Sequence, residues 1–340
     1  MKVALGQHIH AGPWGGGNRF AAMLAGALKD RGDQVVFDLD HDDIDLILLT
    51  DPRPRNPLVA FTPGDVLRHL ARDPRPIVVH RINECDERKG TLTLNTRLRL
   101  ANYAADHTVF IATWLKELAV WRRESPFSIL MNGADPTIFY PRPDIQWRKG
   151  EPLRLVTHHW GGHANKGFDV YTLLDEWLSD PAFARRFTFT YIGNLPQGLT
   201  FKNVRHLTPL DGRPLAQELG RHHAYVTGSI NEPAGMHHIE GALCGLPLLF
   251  RNSGALPEYC RGFGEEFDSP ADFRTALDRL EANYDQLKRA MARYTHTSKH
   301  MFDGYLALFD QLVVDADAIR SRRRLWRSPL AFLFSQILIA

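Results

Sequence analysis

The chain has 340 residues, a formal net charge of +2, 44% apolar residues and 24% charged ones. That length exceeds what one hydrophobic core usually fills, so two domains are expected. Near-neutral charge gives no general ground for nucleic-acid binding, and no run reaches the length of a membrane-spanning helix. The three cysteines, Cys85, Cys244 and Cys260, have no metal-ligand spacing and point to a reduced, cytoplasmic setting. Met1 and Lys2 run directly into an apolar strand, so no signal peptide is expected.

Val3–Gly6 is predicted as a buried strand, followed by a loop from His8 to Arg19 that carries Gly15, Gly16 and Gly17, then a helix over Phe20–Lys29. A glycine-rich turn between strand and helix lets backbone approach a phosphate. The spacing does not fit G-x-G-x-x-G, and Pro13 and Trp14 occupy the turn, so a tight turn without a ligand stays open. Strands are predicted over Gln34–Leu39, Ile44–Leu49 and Pro76–Val79, with a short helix at Val66–Ala71. Thr50–Pro54 is a loop. The polar burst from His80 to Gly90 directly follows an apolar strand, which is where an α/β protein keeps function. His80 is a candidate there by position, and a structural histidine is the alternative. Leu94–Ala105 and Thr113–Trp121 read as helices, and His107–Ile111 and Phe127–Met131 as strands. Asn132-Gly133 and Asp135-Pro136 form turns, and Pro141–Glu151 has the polar, proline-containing composition of a linker.

The second half opens with a strand over Leu153–Thr157, a loop from His158, and a helix to about Leu178. Lys166 stands at the loop–helix junction, a sensible point charge for a phosphate. His158, His159 and His163 match no standard zinc ligand set, so no metal is expected. Strands follow at Phe187–Ile192 and Val204–Leu207, a helix at Leu215–His222, then a strand at Ala224–Gly228. Gly235–Cys244 reads as a helix closed by Gly245, with Leu246–Phe250 as the next strand. His237 and His238 on that helix read as packing or solvent-facing. Pro270–Tyr294 and Met301–Ile319 are predicted helices. Arg320, Arg322, Arg323, Arg324 and Arg327, with Trp326 and the apolar Leu330–Ala340, form a tail suited either to a bilayer interface or to a groove.

Glu232 lies just before the Gly235 helix and Glu240 about one and a half turns inside it. Each carboxylate accepts two hydroxyl hydrogen bonds, and the helix N-terminus between them offers free N–H groups to an anion. A ligand with hydroxyls at both ends and an anionic middle fits that layout. Ordinary helix capping is the alternative.

The run E-P-A-G-M-H-H-I-E-G-A-L-C-G-L-P from Glu232 to Pro247, followed by S-G-A-L-P-E at Ser253–Glu258, resembles E-S-F-G-L-x-x-x-E-A-M-A-C-G-L-P and G-G-x-P-E of the retaining glycosyltransferases of the GT-B fold, family four or group 1. N-G-A-D at Asn132–Asp135 and Lys166-Gly167 extend the resemblance. It implies an α/β chain of two Rossmann-like parallel-sheet domains facing a cleft. Residues 1–145 would form the acceptor side and 151–300 the nucleotide-sugar donor side. A crossing helix at 301–319 would return to the first domain, ahead of the 320–340 tail.

The implied roles are donor-sugar hydroxyls for Glu232, ribose for Glu240 and diphosphate for Lys166. Backbone at Ala234, Gly235 and Met236 would share the last task, while Gly16, Gly17 and Arg19 would lie near diphosphate and acceptor, and His80 near the donor sugar. One departure matters: Gly161 stands where the family places an arginine, five residues before the lysine, so its charge is missing or comes from elsewhere, such as Arg19. The resemblance implies front-face transfer with no cofactor and no required metal. The acceptor would be a glycan, a lipid-linked species or a small molecule, reached at the inner face of a membrane if the tail binds there. A non-catalytic nucleotide- or carbohydrate-binding GT-B protein, or a GT-B sugar epimerase or phosphorylase, is the alternative.

Overall fold

A computed structural model describes residues 1–10, 12, 15–53 and 56–323. Among the described residues twelve strands form two six-stranded sheets in which every pairing is parallel. They are β1 (Lys2–Leu5), β2 (Gln34–Val36), β3 (Leu46–Leu49), β4 (Ile77–Ile82), β5 (His107–Phe110) and β6 (Phe127–Ile129), then β7 (Leu153–His159), β8 (Phe187–Gly193), β9 (Arg205–Leu207), β10 (Ala224–Thr227), β11 (Leu248–Arg251) and β12 (Gly264–Phe267). β3, β4, β5, β10 and β11 are buried along their whole length, as strands with both faces covered must be.

Unit one comprises Met1–Met131 and the chain from Met301. Its sheet order is β2-β1-β3-β4-β5-β6. One face packs Val3, Leu5, Leu46 and Leu48 against Phe20, Leu24 and Leu28 of the Gly16–Asp30 helix and against Tyr305, Phe309 and Leu312 of the Ser298–Val314 helix. The opposite face packs Ile47, Leu49 and Val78 on Val66, Leu67 and Leu70. Those three lie on the Pro63–Arg72 helix, whose start is fixed by Pro63 and a Thr62–Asp65 capping box. Two of the arginines assigned to the tail, Arg320 and Arg323, are engaged here. Arg323 donates through Nε to Asp106 Oδ1 at 2.9 Å and through Nη1 to the Pro74 carbonyl at 2.6 Å, and Arg320 donates to the Arg75 carbonyl at 2.8 Å. Residues 324–340, which hold the rest of that tail, lie outside the described residues. Among the described residues no helix is long and apolar enough to cross a membrane.

Unit two is Asn132–His300, with sheet order β12-β11-β10-β7-β8-β9. Leu155, Phe187, Phe189, Tyr191 and Val226 build its main core with Tyr171, Leu174, Phe273 and Leu277. The boundary expected near residue 145 falls at 131 instead. The Asn132 N–H donates to Tyr259 Oη at 2.7 Å, and Ala134 bridges to Thr297. A Cβ on Gly133 would fall 2.1 Å from the Thr297 carbonyl oxygen, so only glycine fits. The stretch expected as a linker packs here too, with the Trp147 ring edge-on to Tyr284 at 5.2 Å.

Three further differences have simple causes. β4 and β7 run past their predicted ends because polar His80, Arg81, His158 and His159 continue the extended backbone into buried positions. β12, Gly-Glu-Glu-Phe, has one buried residue and an edge place, so hydrophobic alternation does not announce it. The two long C-terminal helices break into Pro270–Ala282 and Tyr284–Ala290, and into Ser298–Val314 and Ala316–Arg322.

Candidate active site

Unit two's strand order reverses between β7 and β10, which pair directly. In an open parallel sheet this reversal parts the following loops and leaves a crevice at the strands' carboxyl ends. The loop after β7 carries Lys166, and the loop after β10 carries Glu232. Their close approach depends on two glycines. Gly167 has φ +95°, and a Cβ there would fall 2.4 Å from the Gly228 carbonyl carbon. A Cβ on Gly228 would meet Val170 Cγ2 at 2.5 Å. The Ile230 N–H then donates to the Asn165 carbonyl at 2.9 Å, stitching the loops together. Lys166 Nζ consequently lies 3.8 Å from Glu232 Oε2, with both side chains largely buried.

The backbone around Glu232 is held from two sides. Gly254, at φ +63°, passes so close that a Cβ would lie 2.5 Å from both Glu232 N and O, and the Ala255 N–H donates to the Glu232 carbonyl at 2.8 Å. Past Glu232, Ala234 adopts φ +126°, a conformation that glycine tolerates and alanine resists. Asn132 Nδ2 donates to its carbonyl at 2.8 Å and holds it there. The strained turn delivers Gly235 as the N-cap of the Met236–Leu243 helix, which has no side-chain cap on its first N–H groups. A Cβ on Gly235 would be 2.9 Å from Glu232 Oε1, so the carboxylate lies against the helix start.

Glu240, on the same helix, is 2% exposed. Its Oε2 lies 2.8 Å from His158 Nε2, and His158 Nδ1 lies 3.1 Å from Tyr225 Oη. A carboxylate only accepts, so Nε2–H donates to Glu240, while the Tyr225 hydroxyl accepts from the His158 backbone N–H at 3.0 Å. Burial pushes the Tyr225 hydroxyl well above its ordinary pKa, so it stays protonated. His237 and His238 are buried. His237 Nε2 lies 2.9 Å from Thr227 Oγ1, its ring centre 4.6 Å from that of His159. Burial pulls His238 down to about 3 against the opposing charge of Glu232, and neither of its ring nitrogens has a hydrogen-bond partner among the described residues. A side chain grown from Gly161 would begin 3.3 Å from the His163 ring and 3.7 Å from Lys166 Cε. Among the described residues no three His, Cys, Asp or Glu side chains are grouped to hold a metal ion.

The remaining candidates belong to unit one. Gly16 and Gly17 begin the Gly16–Asp30 helix behind Gly15, whose φ is +86°. Asn18 ties the preceding loop to the helix, accepting from the His10 N–H at 2.9 Å and donating to the His10 carbonyl at 2.8 Å. Arg19 follows, its N–H donating to the Gly15 carbonyl at 3.2 Å. His80 does not follow its strand as expected but lies inside β4, 0% exposed. Its Nδ1 is 3.3 Å from Asn102 Nδ2, its Nε2 is buried with no hydrogen-bond partner among the described residues, and burial lowers its pKa to about 3. The neighbouring cation, Arg81, is structural: its guanidinium sits 3.8 Å above the Phe20 ring, and Nε donates to Tyr305 Oη at 3.0 Å.

Thus Lys166, Glu232, Ala234, Gly235 and Met236 come together, with Glu240 one layer deeper in the same unit, while Gly16, Gly17, Arg19 and His80 form a separate set. Sequence reasoning missed Asn132 as the clamp on Ala234 and His158 as the partner of Glu240. Continuing the two-residue alternation of β7 by two positions places His158 on the face of Arg154 and Val156, opposite the core residues Leu153 and Leu155.

No protein-family model and no curated protein sequence matches the chain. Solved structures do. Sucrose-phosphate synthase from Thermosynechococcus elongatus superposes with a TM-score of 0.66 at 14% identity, over 92% of this chain and 99% of that one. The lipopolysaccharide outer core galactosyltransferase WaaB, in its apo form, gives 0.65 at 13% identity over 92% and 100%. HepE of Anabaena, in complex with UDP, gives 0.64 at 13% identity over 92% and 100%. With two parallel six-stranded α/β units and this likeness along nearly its whole length, the chain has the GT-B fold.

Proposed function

We propose that the protein is a glycosyltransferase that takes a sugar from a nucleotide-sugar donor with retention of anomeric configuration. The observation that carries the reading is the meeting of Lys166 and Glu232 at the β7/β10 reversal, beside a helix start without a side-chain cap. In this reading Glu232 accepts hydrogen bonds from the donor sugar's hydroxyls. Lys166 and the N–H groups from Gly235 face the diphosphate, while Glu240, oriented by His158, takes the ribose. The bond from the anomeric carbon to the phosphate oxygen breaks as the bond to the acceptor oxygen forms on the same face. The acceptor's proton passes to the departing phosphate. Charge grows on that phosphate in the transition state, so Lys166 acts where stabilisation accelerates.

His80 and the Gly16–Arg19 helix start are unit one's share of the proposal, His80 through its buried Nε2. His80→Gln should lower transfer by more than the accompanying fall in melting temperature explains. Unchanged transfer would remove His80 from the mechanism. An anionic membrane surface would be met by the arginines beyond Arg323, because Arg320, Arg322 and Arg323 are engaged within unit one.

Calorimetry with UDP-, GDP- and ADP-sugars, followed by donor hydrolysis without acceptor, tests the reading. Binding with slow hydrolysis supports it. Binding with no turnover on any donor leaves a binding protein instead. The proposed charge stabilisation uses lysine and backbone N–H groups, so EDTA should leave activity intact. Activity lost to EDTA and restored by a divalent ion would overturn that part.

A further inference from the structure

At the opposite end of unit two's sheet lies a cavity of about 730 Å³. It opens at the amino ends of β7, β8 and β9 and just before β10. Roughly 20 Å of strand, at about 3.3 Å per residue, separates it from the loops of Lys166 and Glu232. Arg154, Thr188, Thr190, Arg205, Arg221 and His222 line it. Register explains how they meet. Arg154 pairs with Thr188 and Thr190 with Arg205, while Leu153 and Leu155 enter the core on the other face, and the core residues Phe187 and Phe189 also border the cavity, with Leu178 and Ala184. One sheet face therefore presents guanidinium and hydroxyl groups side by side.

The charges are held ready. Glu218, 5% exposed, takes Arg205 on one carboxylate oxygen and Arg221 on the other, the latter at 2.9 Å. Arg154 donates through Nε to the Arg221 carbonyl at 2.8 Å. Its two terminal nitrogens have no hydrogen-bond partner among the described residues. Three guanidinium groups against one carboxylate leave two positive charges. His222 stays neutral, its Nδ1 2.9 Å from the Glu218 carbonyl oxygen and its Nε2 3.0 Å from Thr190 Oγ1.

We propose that this cavity is a second ligand site, for a phosphate monoester of a small hydroxylated molecule. A phosphate dianion balances the charge, and arginine forks match its oxygens in pairs. The volume lies in the range of small-molecule sites and exceeds what a bare anion fills. The exposed Thr188 hydroxyl offers a hydrogen bond to the remainder of the ligand. The proposal does not depend on the reaction assigned to the other end of the sheet.

The test uses ribose 5-phosphate and inorganic phosphate as probes, titrated into the full chain by calorimetry. Ribose 5-phosphate should bind wild type and Lys166→Ala alike, and at least about tenfold more weakly to Arg154→Gln/Arg205→Gln. Inorganic phosphate should bind more weakly than the ester with the same dependence on the arginines. If the double variant does not fold, Arg154→Gln alone serves, because Arg154 holds no carboxylate. Amide shifts on adding the ester to wild type should then centre on Arg154, Thr188 and Thr190. No binding at about 10 mM ester, or binding lost in Lys166→Ala and kept in the arginine variant, overturns the proposal.

Discussion

The two units share one architecture and use it differently. Both reverse strand order, β1 against β3 in unit one and β7 against β10 in unit two. In unit one the loops beyond that end are tied to themselves. Asn18 holds His10, Asp51 takes Arg53 and the Asn56 amide, and Asp86 accepts from the Leu94 and Asn95 N–H groups. Its cation next to His80, Arg81, is locked on Phe20 and Tyr305. In unit two the corresponding loops bring a lysine, two carboxylates and a bare helix start to one place, at the cost of a left-handed alanine and several buried imidazoles. Topology marks where a site can stand. In the proposed reading, the titratable groups and the strained turn give unit two the charge-handling part.

The comparison breaks first at Lys166. Lys166→Ala should lower turnover by about 10²–10³, the scale of losing one charge stabiliser in the transition state, with a smaller loss in donor affinity. Lost donor affinity with unchanged turnover would make it a ground-state binding residue only. Next comes unit one's own buried pair. Arg323→Ala strips Asp106, 5% exposed, of its partner and should cost about 3 kcal/mol in urea unfolding. The same change should leave nucleotide affinity unaltered, and a loss of affinity would blur the division of labour.

Acid separates the units in a third way. His80 in unit one and His238 in unit two have native pKa values of about 3 because burial disfavours the imidazolium. Unfolded, each titrates near 6.5, so between these values the unfolded chain binds more protons. The stabilising contribution is complete above pH 6.5 and is lost as pH falls toward 3. At pH 5 that is about 2 kcal/mol for each histidine. Unit two also buries His222, His223 and His237 with lowered pKa values, against His107 alone beside His80 in unit one. Hydrogen exchange at pH 5 should open unit two's amides first. Simultaneous opening would count against the difference.

Smaller effects sharpen the picture inside unit two. His158→Phe should weaken binding of the free nucleotide by about 1–2 kcal/mol, since Glu240 loses the group that orients it. Glu232→Ala should weaken a nucleotide sugar more than the nucleotide alone, and equal losses would remove its sugar role. Ala234→Gly relieves φ +126° and should stabilise by about 1 kcal/mol, a rise of about 2–4 °C in melting temperature. A loss of stability instead would mean that the turn is not strained.

Much of this was legible from the residues. Apolar runs separated by amphipathic stretches predict two parallel sheets, and the carboxylates flanking a helix start predict where anions gather. What escaped detection shares a cause. Asn132 acts through Ala234, 102 residues away in sequence, and His158 through Glu240, 82 residues away, and local patterning holds no record of such distances. β12 and the polar ends of β4 and β7 are strands by virtue of their neighbours' hydrogen bonds, not their own hydropathy. Gly167 and Gly228 were visible as letters, but the backbone contact that requires them exists only after folding.

The segment Asn132–Ala134 is hydrogen-bonded beside His296–Ser298, so unit two begins and ends at one place, whereas unit one is assembled from both ends of the chain. During synthesis, unit two has all its strands once residue 267 has emerged. Unit one must wait for Tyr305, Phe309 and Leu312 to close its larger core face. The first 131 residues therefore stand longest with apolar surface uncovered, and a nascent chain emerged only as far as His300 would hold the later-made unit folded and the earlier-made one waiting.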